Sequence, residues 1–163
     1  TEKSIKGAAF TAAVMFESQY RPLDMLMYYD ARPCSMNGLF ATDYVCDRLK
    51  GYYPFRMFNE LVKLGDSLKT ESDCDKLFSC AAKSENAMAF VVAYFDDDNN
   101  AEEKEVKISF ENIGAKKRKV SYFLLDENHD EELVRDEIVT GESISSYIKM
   151  PLYSAYLIKI EEI

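Results

Sequence analysis

The sequence predicts an α+β protein that is mainly β: an antiparallel β-sandwich preceded by a helix–strand–helix unit. Three observations carry this reading. Residues 4–20 and 54–64 have apolar residues at helical spacing. Residues 24–30 lie between them as an apolar and aromatic run with almost no polar alternation. From residue 77 onward, short apolar or alternating runs recur at regular spacing, separated by turn-forming clusters.

In the first helix, Ser4 can cap and Ala8, Ala9, Ala12 and Ala13 favour the helical state. Phe10, Val14 and Phe16 give it a broad apolar surface, and Arg21-Pro22 ends it. Asp24 to Asp30 then reads as a strand covered on both faces, as in a parallel sheet. One such strand has no partner in this chain. Residues 31–53 form a long loop containing Gly38 and Gly51. In the second helix Pro54 sits at the start, Phe55, Phe58, Leu61 and Val62 make one stripe, and Gly65 is a fitting stop. The predicted strands are 77–82, 87–94, 105–110, 119–125, 143–150 and 154–160. Val106 to Phe110 and Tyr156 to Ile160 alternate most clearly. Asp96 to Asn100 reads as a solvated hairpin tip, and 130–139 as a short helical turn or irregular segment.

Composition narrows the function classes. The chain has 163 residues, 47% of them hydrophobic and 13% aromatic, which is enough to fill a core. The net charge of −9 argues against nucleic acid and against anionic membrane surfaces. The charge is uneven. Residues 1–65 hold 8 basic and 7 acidic residues against 12 and 22 in residues 66–163. This shift places a boundary near Gly65-Asp66, with units 1–66 and 67–163. No apolar run approaches the roughly 18 residues of a membrane span, and no signal peptide is visible. The compartment is therefore open, with the cytoplasm slightly favoured. Cys34, Cys46, Cys74 and Cys80 contain no C-x-x-C pair and His129 stands alone, so neither a metal nor a cofactor is expected. Free thiols are the simpler expectation, two disulfides the alternative.

The motifs Asp24-Met25-Leu26-Met27-Tyr28-Tyr29-Asp30, Asn37-Gly38-Leu39-Phe40 and Lys50-Gly51-Tyr52-Tyr53-Pro54-Phe55 bring in a resemblance. In this order, followed by an acidic sandwich, they resemble the C-terminal end of retaining clan A glycoside hydrolases. The layout is similar to the family 39 xylosidases and iduronidases and the family 51 arabinofuranosidases. Gly51 stands where that pattern usually has proline. The resemblance implies that residues 4–64 are the final helix, strand and helix of a (β/α)8 barrel, a remnant attached to a C-terminal sandwich. It also implies that both catalytic carboxylates lie upstream of Thr1. The expected function is then part of a glycoside hydrolase acting on carbohydrate, inactive alone. Its sandwich would support the barrel, and its partner would be the rest of the barrel or, through exposed apolar surface, another copy. The alternatives are a non-catalytic carbohydrate-binding or protein-interaction module, or an unrelated sandwich with a helical N-terminal decoration.

No catalytic residue is expected within the chain. The candidate substrate contacts are Tyr29, Asp30, Arg32, Asn37 and Phe40, because barrel active sites lie at the C-terminal ends of the strands. Aromatic rings can stack on sugars, and charged or amide groups can bond hydroxyls. Each has a plainer reading: Asp30 and Arg32 as an ion pair closing the strand, Tyr28, Tyr29 and Phe40 as packing, Asn37-Gly38 as a turn. Asp96-Asp97-Asp98 lacks the spacing of a calcium loop. The neighbouring acids Glu102-Glu103 and Glu131-Glu132 do not make a glycosidase pair, because adjacent side chains point apart.

Overall fold

The computed structural model describes residues 4–29, 31, 38–41 and 46–163. In chain order the helical elements are helix α1 (Ile5–Ser18), a 3-10 turn (Lys50–Tyr52) and helix α2 (Tyr53–Leu64). Eight strands complete the chain: β1 (Asp66–Leu68), β2 (Leu77–Lys83), β3 (Ala87–Tyr94), β4 (Lys104–Phe110), β5 (Lys116–Leu125), β6 (Asp130–Gly141), β7 (Ile144–Met150) and β8 (Ser154–Glu162). They form an antiparallel six-stranded sheet in the order β1-β2-β3-β8-β5-β6, facing a two-stranded sheet of β4 and β7. The fold is thus mainly β, an antiparallel sandwich with helices ahead of it in the chain.

The molecule has three layers and two cores. Strand side chains alternate between faces, and the six-stranded sheet is covered on both. One face carries Val92, Tyr94, Val120, Tyr122, Ile158 and Ile160 against Ile108, Ile144, Ile148 and Met150 of the small sheet. The other carries Cys80, Ala82, Ala89, Val91, Ala93, Ala155 and Leu157 against α1 and α2. This second face is unusually small in side-chain volume. It meets Ala8, Ala12 and Phe16 of α1 and Met57 and Leu61 of α2.

Local signals explain both helices. The Ser4 hydroxyl accepts from the Gly7 amide at 3.4 Å, capping α1. In α2, Pro54 occupies the first turn, where its missing N–H is not needed. Gly65 ends the helix at φ +96, a conformation that side chains rarely adopt. The core-facing stripe of α2 is Tyr53, Met57 and Leu61. Phe55 and Phe58 are only partly buried, and Val62 is exposed, so the expected single stripe is two faces. At the far end of the sandwich, buried Arg118 donates to the carbonyls of Gly114 (2.8 Å), Lys116 (3.2 Å) and Ile113, closing the turn before β5.

Three expectations need correction. Residues 24–29 form no strand and are largely exposed, with Met25 at 71% and Met27 at 82%. A strand exists only as part of a hydrogen-bonded ladder, and none of the ladders among the described residues includes them. Residues 130–139 belong to β6, a regular strand of twelve residues paired with β5. Its acidic, exposed composition hid it, because an edge strand needs little apolar content. The segment 96–100 does not tip a hairpin; it crosses from β3 in one sheet to β4 in the other. Cys46, Cys74 and Cys80 are free thiols, and Cys34 lies outside the described residues. No described helix is long and apolar enough to cross a membrane.

The layer contact yields a stability prediction. Met57 is 0% exposed at the junction of α2 and the sheet. Met57→Ala should lower the urea unfolding free energy by about 2–5 kcal/mol. Val62→Ala, on the exposed side of the same helix, should change it by less than about 0.5 kcal/mol.

Candidate functional site

The face of α1 turned from the sheet presents Phe10, Thr11 and Val14. Phe55 and Phe58 of α2 and the stretch Leu23 to Tyr28 complete an open groove of about 920 Å³. Its lining is mainly apolar. Tyr28 packs edge-on against Phe55 at 5.3 Å, and Phe16 stacks with Phe58 at 6.4 Å beneath. At one end Phe10 meets Phe95 edge-on at 5.4 Å. Arg21 pairs with Glu17, and the Tyr20 hydroxyl lies 2.7 Å from that of Thr70, fixing the chain as it leaves α1. Asp24 is the only acid lining the groove among the described residues. A hydrolytic glycosidase site needs two facing carboxylates, and the described lining of this groove holds one.

Of the five residues singled out from the sequence, Tyr29 and Phe40 lie within the described residues; Asp30, Arg32 and Asn37 lie outside them. Tyr29 is exposed. Phe40 is half-buried, forms an isolated antiparallel bridge with Arg48 and packs on Tyr52 at 5.5 Å. The Arg48 guanidinium sits over the same Tyr52 ring at 5.0 Å. Phe40 therefore has packing partners of its own. Among the described residues, no cluster of three or more His, Cys, Asp or Glu is arranged to hold a metal.

The most strongly perturbed carboxylate lies elsewhere, at Glu131. Glu131 occupies a bulge of β6, where Leu125 pairs with Asp130 and Leu124 with Glu132. Its φ of +59 turns the side chain inward, and that side chain is only 2% exposed. Oε2 accepts no hydrogen bond from any described residue, although the Arg56 Nε lies 3.4 Å away. Burial raises its pKa from 4.5 to about 7, against the lowering pull of Arg56 and with Glu60 raising it further. Around it, Lys159 of β8 pairs with Glu60 at 3.0 Å, and Lys50 pairs with Asp130 at 2.8 Å. Lys50 also donates to the carbonyls of Asp126 (2.7 Å) and His129 (3.1 Å). This polar ring ties α2 and its preceding turn to one end of the sheet. Glu131 is closed to solvent and lies away from the groove, and its burial disfavours the charged carboxylate. Only the adjacency Glu131-Glu132 was visible in the sequence; the bulge that buries one of the pair was not.

No family model and no curated protein matches the sequence. Its fold does have solved counterparts. The chain is similar to a family 39 glycoside hydrolase from Xanthomonas axonopodis pv. citri, with a TM-score of 0.81 at 10% identity, covering 99% of this chain and 42% of that one. A glucosidase from Croceicoccus marinus gives 0.77 at 14% identity, covering 98% and 43%. A family 30 subfamily 8 xylanase from Clostridium acetobutylicum gives 0.74 at 14% identity, covering 99% and 40%. The structural neighbours are thus glycoside hydrolases, and the chain spans about two fifths of their length. At such identities the likeness is one of fold.

The buried glutamate predicts a pH dependence. Its folded pKa exceeds the unfolded value, so the folded state holds the proton more tightly. Its effect on stability is most favourable below about 4.5 and is lost as pH rises through about 7. Glu131→Gln should remove that slope and make the chain more stable than the parent at pH 8, by on the order of 3 kcal/mol. Urea melts at pH 5 and pH 8 check this; a parent and variant with parallel pH profiles would refute it.

Proposed function

We propose that this chain is the C-terminal portion of a glycoside hydrolase whose catalytic carboxylates are carried by another part of the polypeptide. In this reading α1 and α2 are the last two helices of a (β/α)8 barrel, residues 24–30 become a strand only beside the rest of that barrel, and the sandwich supports the barrel from outside. The observation that carries it is the apolar row Leu23, Met25, Leu26 and Met27, exposed along a groove whose other wall is already aromatic. A free-standing domain gains nothing from leaving such a row in water. A barrel strand waiting for neighbours on both sides has this composition. The fold shared with glycoside hydrolases over two fifths of their length supports the same reading. The Asp30 to Phe40 segment would follow the C-terminal end of that strand, at the rim of the sugar pocket, with Tyr29, Asp30, Arg32, Asn37 and Phe40 as the groups nearest the substrate.

The decisive assay compares residues 1–163 with the longer polypeptide encoded together with its upstream frame, on a panel of nitrophenyl glycosides. The expected result is no hydrolysis by residues 1–163 and turnover by the longer polypeptide. Hydrolysis by residues 1–163 alone would overturn the proposal. Saturable oligosaccharide binding by 1–163, with no hydrolysis by either, would instead identify a carbohydrate-binding module.

The exposed row has a physical signature of its own. Sedimentation of residues 1–163 should show concentration-dependent self-association, weakened by roughly tenfold or more in Met25→Ser/Met27→Ser. A monodisperse monomer at high concentration would count against an uncovered barrel face.

A further inference from the structure

Helix α2 meets the sheet along two edges of different chemistry. Met57 and Leu61 rest on the small apolar face of the strands. Arg56 and Glu60 instead reach toward β6 and β8, where their partners are Glu131 and Lys159. The backbone leaves the Glu131 side chain no path of its own to water. β6 is paired with β5 from Asp130 to Gly141, and the bulge at Glu131 is held between the pairs Leu125–Asp130 and Leu124–Glu132. With φ at +59 the side chain points inward, and turning it out means breaking that ladder. The cheaper exposure is to lift α2, which covers it.

Charged groups face Glu131 from several elements. α2 supplies Arg56 and Glu60, the approach to the 3-10 turn supplies Arg48, and β8 supplies Lys159. Asp130 and Glu132 flank it on β6 itself. Most of these are committed elsewhere. Lys159 pairs with Glu60, which Lys63 also holds at 2.5 Å, and Lys50 pairs with Asp130. The Arg48 guanidinium lies over the Tyr52 ring. In the adjoining turn the Nδ1 of His129, the single histidine of the chain, lies 2.8 Å from Asp126 Oδ1. Among the described residues, Arg56 alone comes within ion-pair distance of Glu131, and no donor completes a hydrogen bond to Oε2. A carboxyl so placed is tolerated when neutral. A charge there is stripped of water without being bonded, which costs free energy. The tilt toward the neutral form, set first by burial, agrees with this geometry.

We infer that Glu131 is a pH-operated latch on α2. With the carboxyl neutral, the helix lies closed on the sheet. Ionisation favours an open form in which α2 and the turn ahead of it lift and water reaches the charge. The closed form holds the proton more tightly than the open one, so closure is favoured most in acid and weakens as pH rises through about 7. Phe55 and Phe58, an aromatic wall of the groove, lie beside Arg56 on the same helix. That wall therefore opens more often as pH rises, whatever partner the groove receives.

Amide hydrogen exchange on residues 1–163, read as protection factors at pH 5.5 and pH 8.5, tests the inference. The α2 amides should be less protected than those of β3 and β8 at both pH values, the mark of a helix that opens without the whole molecule unfolding. Their protection should fall by roughly tenfold or more from pH 5.5 to pH 8.5. Glu131→Gln should abolish that fall. Arg56→Gln, which removes the lowering pull of the guanidinium on Glu131, should deepen the fall and carry it to higher pH. The parent chain alone can overturn the inference: α2 protection equal to that of β3 and β8, or unchanged with pH, would do so. So would a fall that persists in Glu131→Gln and vanishes in His129→Gln, which would assign it to the histidine. A shallower fall in Arg56→Gln than in the parent would also overturn it.

Discussion

The close contact between α1 and the six-stranded sheet is the constraint on which the rest of the structure depends. Ala8 and Ala12 on the helix meet Ala82, Ala89, Ala93 and Ala155 on the strands. Small side chains on both sides let the backbones approach and leave few directions in which the helix can slide. Phe16 and Met57 then fill the space beside this pad. The polar ring of Lys50, Arg56, Glu60, Glu131 and Lys159 runs alongside this contact, from the turn before α2 to its later half. Dispersion contacts set the spacing of the layers, and the charged groups set their orientation.

With one flank fixed to the sheet, each helix turns its other flank outward. α1 shows Phe10 and Val14, and α2 shows Phe55 and Phe58. An ordinary surface helix has a single apolar stripe. A helix with two suits a position between layers. The groove is the product: an apolar surface open to solvent, walled by aromatic rings of both helices.

Much of the sandwich was legible in the sequence because its strands either alternate, like β4 and β7, or run apolar, like β3 and β8. The apolar runs have a concrete cause: β3 and β8 are covered by helices on one side and by the small sheet on the other. β6 was not legible, since a strand at the sheet edge with Asp130, Glu131, Glu132, Asp136 and Glu137 carries no apolar period. Met25 to Tyr29 failed in the opposite sense. Its composition is that of a buried strand, but composition gives a preference and only neighbours give hydrogen bonds. Of the candidate site, the aromatic character of Phe55 and Phe58 was visible, while their use on a second face was not. Glu131 was beyond reach because its burial follows from one inserted residue in the ladder.

Cys80 gives the layered packing a chemical readout. It lies under the helices, and burial pushes its thiol up to about 12. A thiol held protonated at neutral pH is a poor nucleophile. Cys46 is exposed to solvent. An oxidant or alkylating reagent should therefore mark Cys46 on every molecule and Cys80 only on those whose helices have lifted from the sheet. The packed alanine face thus decides which sulfur belongs to the interior and which to the solvent.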